Sequence, residues 1–201
     1  MEAELIKAGL VDVQKLDPSI LVELRYGTTN NFMGIDFYDG FNKCYLQPEV
    51  ARMLVEVSAE LKRRFSDLRL LVWDAARPGS VQQKMWDAVI PPPGVFKGLF
   101  VSNPSYGSLH NYGCAVDVTI ADTSGVPLDM GTDLDFFGPE AWPVEESRML
   151  KNGKLTETQI TNRKLLRSVM YHAGFWNIQT EWWHFNAMRR EAARERYRII
   201  P

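Results

Sequence analysis

Residues Ala115 to Ile120 constrain this chain more than any other stretch. Val116, Val118 and Ile120 alternate with Ala115, Asp117 and Thr119. A period of two predicts a strand whose apolar face lies on the core, with a carboxylate on the opposite face. His110 precedes Gly113, on the loop leading into that strand. Glycine tolerates the backbone conformations that reverse a loop, so Gly113 is expected to bring His110 beside Asp117.

A second stretch, Glu181-Trp182-Trp183-His184, complements the first. The chain has only three histidines, and two of them fall in these stretches. Together they supply two imidazoles and two carboxylates. Imidazole nitrogens with one carboxylate form a ligand set suited to zinc, and three protein ligands leave a fourth position open for chemistry. The remaining carboxylate is then free to act as a base. Glu181 and His184 would share a face on a helix. The aromatic residues around them favour a strand, with Glu181 at its entrance or on a bulge. Cys114 also has metal-ligating chemistry, but it falls on the Val116 side of the alternation and is expected to face the core.

A chain of 201 residues is expected to form one domain, residues 1–201. Its net charge of −2 gives no electrostatic reason for nucleic-acid or anionic-membrane binding. Two cysteines, Cys44 and Cys114, are too few for a disulfide scaffold. Met1 to Leu5 carries two acids and no basic segment followed by an apolar one, so the expected location is the cytoplasm. No apolar run approaches the roughly 20 residues of a membrane-spanning helix.

The remaining elements follow from local pattern. Ile20–Tyr26 reads as a strand, and residues 27–40 as a polar, aromatic-bearing loop. Pro48–Phe65 reads as a helix, with Val50, Leu54, Val57, Leu61 and Phe65 on its core stripe. Arg69–Trp73 is a buried strand leading to Arg77 and the stiff Pro78-Gly79 turn. Ser80 is the expected N-cap of a helix through Val89. Residues 94–107 and 121–145 read as long loops, a length that often marks function. Thr156–Ala173 is a second long helix with a Thr156/Gln159 capping box and Gly174 beyond its end. Arg189–Arg198 reads as a solvated helix.

The motif Ser-x-His-x-x-Gly-x-Ala-x-Asp at Ser108–Asp117, with Glu-x-Trp-His at Glu181–His184, resembles the zinc D-alanyl-D-alanine dipeptidases, the VanX type of the M15 peptidases. Three further segments match in order: Leu24-Arg25-Tyr26 with Asn31-Phe32-x-Gly34, Asp74-Ala-x-Arg77-Pro78, and Asp129-Met130-Gly131-Thr132 followed by Asp135. The likeness runs from about Asp17 to Phe185. It implies an α+β fold, a small mainly antiparallel sheet carrying the zinc site and flanked by helices, as in hedgehog and D,D-peptidase domains. It also implies one zinc ion per chain, held by His110, Asp117 and His184. Glu181 would be the general base and Arg77 the oxyanion partner. Tyr26 and Asp133 or Asp135 would meet the ammonium of a small dipeptide, and Ser108 its carboxylate end. Within the same group, a peptidoglycan D,D-carboxypeptidase or endopeptidase is the rival, and a hedgehog-like zinc module without catalysis is the rival of another class.

Overall fold

The computed structural model describes residues 1–201. It is an α+β fold built on a five-stranded, open sheet. In chain order the elements are α1 (Glu2–Lys7), β1 (Val11–Asp12), β2 (Leu21–Val22), β3 (Tyr45–Leu46), α2 (Pro48–Arg64), β4 (Leu68–Asp74), α3 (Gly79–Ala88), β5 (Ala115–Asp122), α4 (Glu146–Lys151), α5 (Glu157–His172), β6 (Trp176–Asn177), β7 (His184–Asn186) and α6 (Arg190–Arg196). The sheet order is β2-β4-β5-β7-β6, while β1 and β3 form a separate antiparallel pair. Only the β2–β4 edge is parallel; every other neighbour in the sheet is antiparallel. No helix is long and apolar enough to cross a membrane.

The core sits between β4, β5 and the two long helices. On α2, Val50, Ala51, Leu54, Val57 and Leu61 are buried at three- and four-residue spacing. This stripe packs on β4 and on α5. α2 stops at Arg64: Phe65 is extended and exposed, so it does not belong to the stripe. α5 carries the expected capping box, in which Thr156 Oγ1 accepts from the Gln159 amide and Gln159 Oε1 from the Thr156 amide. Thr119 and Asp117 are buried as well as Val118 and Ile120, so β5 is covered on both faces.

Other expectations need correction. The strand over Ile20–Tyr26 shrinks to Leu21–Val22, because Asn42 Oδ1 captures the Leu24 amide and Arg25–Gly27 turns away as a 3-10 segment. α3 begins at Gly79 with Pro78 before it and no side-chain cap, so Ser80 lies inside the first turn. Residues 121–145 are largely irregular as expected, but α4 follows them unannounced. The C-terminal tail is not merely solvated: Ala193 and Ile200 are wholly buried. Ile200 donates its amide to Asn111 O and accepts the Gly79 amide, clipping the His110 turn to the start of α3.

Gly113 is the backbone pivot of the site. It ends the Leu109–Tyr112 3-10 turn at φ 66°, and a Cβ built there would lie 2.9 Å from Leu10 Cδ2 and 3.3 Å from the Gln47 amide nitrogen. Left-handed strain and this crowding act together, so Gly113→Ala should lower unfolding stability by about 1–3 kcal/mol. A shift of the urea midpoint without a change in slope is the expected readout.

Candidate active site

β5 and β7 place the first two functional side chains by register. Asp117 pairs directly with His184 across the two strands, so both project from the same sheet face. His110 arrives from the preceding 3-10 turn. Ser108 Oγ accepts the His110 amide, and Asn111 Oδ1 accepts the Ser108 amide, fixing that turn. Glu181 lies in the bend before β7, the strand-entrance position; the helical alternative does not occur. Asn177 holds that bend, its amide donating to the carbonyls of Glu181 and His184 at 2.8 and 2.7 Å.

Outer hydrogen bonds decide which imidazole nitrogens face inward. His110 Nδ1 lies 2.7 Å from Ala75 O, which can only accept, so Nδ1 carries the proton and Nε2 a lone pair. His184 Nε2 lies 2.9 Å from Asn186 Oδ1, which likewise assigns the inward lone pair to Nδ1. The two inward nitrogens are 3.2 Å apart. Asp117 Oδ1 is 2.9 Å from His184 Nδ1 and 3.5 Å from His110 Nε2. Three acceptor atoms thus converge within 4.8 Å of one another, an arrangement that fits a cation. The electrostatics agree. Burial opposes charge on His184, yet Asp117 outweighs it and lifts the imidazole to about 9. Despite its own burial, Asp117 is held well below the usual carboxylate range by the two histidines.

Around this cluster lies a cavity of about 420 Å³ that also takes in Tyr26, Arg77, Ser108, Asp135 and Glu181. A register shift between Val72 and Asp74 in β4 turns Asp74 toward Arg77. Asp74 Oδ2 accepts from Arg77 Nε at 3.0 Å and Nη2 at 2.5 Å, while its Oδ1 accepts from the Tyr38 hydroxyl at 2.6 Å. Gln82 Oε1 accepts from Arg77 Nη1 at 3.1 Å. Burial works against the guanidinium's charge, but Asp74 keeps it firmly protonated. Burial raises the Glu181 carboxyl, opposed by His184.

The two acids offered for a substrate ammonium separate. Asp135 faces the cavity and accepts the Tyr26 hydroxyl at 2.7 Å. Asp133 points outward, with a side chain 66% exposed and 3.6 Å from Arg25 Nη2, so it does not join the others. Alternation would set residues two apart on one side; the left-handed φ of 59° at Asp135 breaks it. Cys114 is wholly buried away from the cluster, its thiol pushed up to about 12 by burial. Sequence reasoning missed Asn186, Asn177 and Gln82. Asn186 stands two residues after His184 on one strand, so period two alone places it on the histidine's face.

Burial, together with Asp117 and Glu181, raises the Asp135 carboxyl to about 8, against the pull of Tyr26 and Arg77. The folded chain therefore binds this proton more tightly than the unfolded one. Its stability should fall as pH rises from about 4 to about 8. Asp135→Asn removes the titrating group, so metal-free variant should gain on the order of 1–3 kcal/mol over wild type between those limits. Thermal melts at both ends of the window measure the difference.

Residues 6–199 match the peptidase M15 family, described as D-ala-D-ala dipeptidase. The chain is 31% identical to the D-alanyl-D-alanine dipeptidase of Escherichia coli K12 over 88% of this chain and 83% of the relative. It is 28% identical to the D-alanyl-D-alanine dipeptidase of Enterococcus faecium over 90% of this chain and 92% of the relative. A Synechocystis protein of the same description is 28% identical over 74% and 71%. The match takes in the N-terminal segment and the tail beyond Phe185, and with it the chain belongs to the M15 family of D-ala-D-ala dipeptidases.

Proposed function

We propose that this protein hydrolyses free D-alanyl-D-alanine to two molecules of D-alanine, with one zinc ion per chain. The observation that carries this reading is the convergence in one cavity of the three-acceptor cluster with Glu181, Arg77 and Asp135. It is supported by the relatives, which bear that activity in their descriptions. His110, Asp117 and His184 would hold the zinc. Bound there, zinc polarises a peptide carbonyl and acidifies water.

The chain's own groups supply the rest. Glu181 takes a proton from the attacking water and passes it to the leaving amine. Burial raises its proton affinity above that of a free carboxylate, which favours accepting the proton from water. Three of the five N–H groups of Arg77 are taken by Asp74 and Gln82, which leaves two for the developing oxyanion. Because Asp74 and Gln82 fix the guanidinium in advance, it costs little reorganisation when charge develops. Asp135, seated on Tyr26, receives the substrate ammonium, and an arriving cation favours its ionised form. Ser108, at the cavity wall, faces the carboxylate end.

Glu181→Ala should abolish D-alanine release while zinc content measured by atomic absorption stays at wild-type level; loss of zinc would instead make Glu181 a ligand. Arg77→Ala should lower kcat by about 10²–10³ with a smaller rise in KM, and a change confined to KM would reassign it to ground-state binding. Asn186→Ala should weaken zinc about 10–100-fold in a chelator competition, since His184 loses the partner that sets its tautomer. D-alanine release from the dipeptide and from a stem pentapeptide, run in parallel on zinc-loaded protein, tests the substrate. Release from the pentapeptide moves the assignment to a cell-wall carboxypeptidase, and silence on both favours a zinc module without catalysis.

A further inference from the structure

Arg77 lies beyond the end of β4 and before α3, outside both elements. Its two backbone groups still find partners, and both partners belong to the turn that carries His110. The Arg77 amide donates to His110 O at 3.0 Å. The Arg77 carbonyl accepts from Asn111 Nδ2 at 2.8 Å. Two residues earlier, Ala75 O accepts from His110 Nδ1 at 2.7 Å. Residues 75–77 and the turn at 108–111 are therefore laced together, and the lacing joins the arginine to a member of the three-acceptor cluster.

Asn111 is 1% exposed, and its side-chain amide is used at both ends. Oδ1 accepts the Ser108 amide at 2.6 Å while Nδ2 donates to Arg77 O. A backbone N–H can only donate and a carbonyl can only accept, so these partners fix which way the Asn111 amide points. A carboxylate at this place would keep the Ser108 contact and have no donor for Arg77. Asp74 and Gln82 hold the tip of the Arg77 side chain. Asn111 holds its root.

Resting on the oxyanion role assigned to Arg77 above, we propose that Asn111 is a positioning residue for the reaction, which sets the free donors of Arg77 relative to His110. Arg77 and His110 line the same cavity. A donor aimed at developing charge serves only when held within about 0.5 Å of its place. With its tip clamped by Asp74 and Gln82 and its root clamped to the His110 turn, the guanidinium has one course. Losing the Nδ2 bond leaves the carbonyl of a buried residue unpaired and frees that root to move. Asn111 acts through Arg77, so its effect on the reaction exists only while the guanidinium is present.

The test is a cycle of four zinc-loaded proteins: wild type, Asn111→Asp, Arg77→Ala and the double variant, assayed for D-alanine release from D-Ala-D-Ala. Asn111→Asp should lower kcat about 10–100-fold with KM within about threefold of wild type, and in the Arg77→Ala background the same change should cost less than about threefold. A purely structural role predicts an equal loss in both backgrounds, and that result, or no loss in the first, overturns the proposal. Arg77→Ala with wild-type kcat overturns the oxyanion role and this proposal with it. Asn111→Ala, which buries no charge, takes the place of Asn111→Asp in the cycle where the latter does not fold. A second readout needs no catalysis. In metal-free protein the Arg77 Nε–H magnetic-resonance signal, identified by its loss in Arg77→Ala, should exchange with water several-fold faster in Asn111→Ala; equal exchange overturns the positioning. A wild type silent on the dipeptide overturns the dipeptidase reading, and the exchange measurement then decides the positioning alone.

Discussion

Three electron pairs pointing at one another have no reason to stay together unless a positive charge sits among them. His110 Nε2, His184 Nδ1 and Asp117 Oδ1 are in that position, and the rest of the molecule keeps them there. The Ala75 carbonyl and Asn186 each take an outward proton and so deny the inward nitrogens theirs. The β5–β7 register sets Asp117 against His184, and the Ser108-capped turn brings in His110. Without a metal, a proton answers the demand, as the raised affinity of His184 shows. The preference for a cation is built from hydrogen bonds made outside the cluster.

A second buried charge follows the same logic with a different resolution. Arg77 and Asp74 are removed from water together, a costly arrangement unless each valence is met. Asp74 is met by Tyr38 and by two guanidinium nitrogens, and Gln82 takes a third guanidinium N–H. Buried pairs of this kind often contribute no more to stability than apolar side chains of the same volume. What the pair adds is a guanidinium that cannot swing, with two unused donors at a chosen place.

How much of this was legible in the sequence depended on how local the signal was. Period two placed Asp117, period three to four placed α2 and α5, and the Thr156/Gln159 pair marked the start of α5 to the residue. The His110–Asp117 association was readable because Gly113 announces a reversal. The strand ending at Val22 was not, because the group that stops it, Asn42, lies 18 residues from Leu24. Nor was the burial of the tail, since Ile200 is held by Asn111 and Gly79, far from it in the chain. Asn177 is only four residues from Glu181, but a side chain bonding the carbonyls of a bend leaves no periodic signal; nor does any pattern tell Asp133 from Asp135. Only the positive φ at Asp135, which no residue pattern signals, separates them.

The acids of the cavity raise one another's proton affinity, and this ties metal, substrate and fold together. Asp135 is lifted partly by Asp117 and Glu181, so the bare cavity suppresses the charge that would attract an ammonium. A cation at the histidine cluster offsets Asp117 and relieves that pressure at a distance. On the proposed reading, a dipeptide then completes the balance with its own ammonium at Asp135. On that reading each positive charge favours the ionised acid that receives the next. A fold that tolerates such a site must hold its shape elsewhere, and here it does so through the buried stripe of α2 and α5 against the sheet and the clipped C-terminal tail.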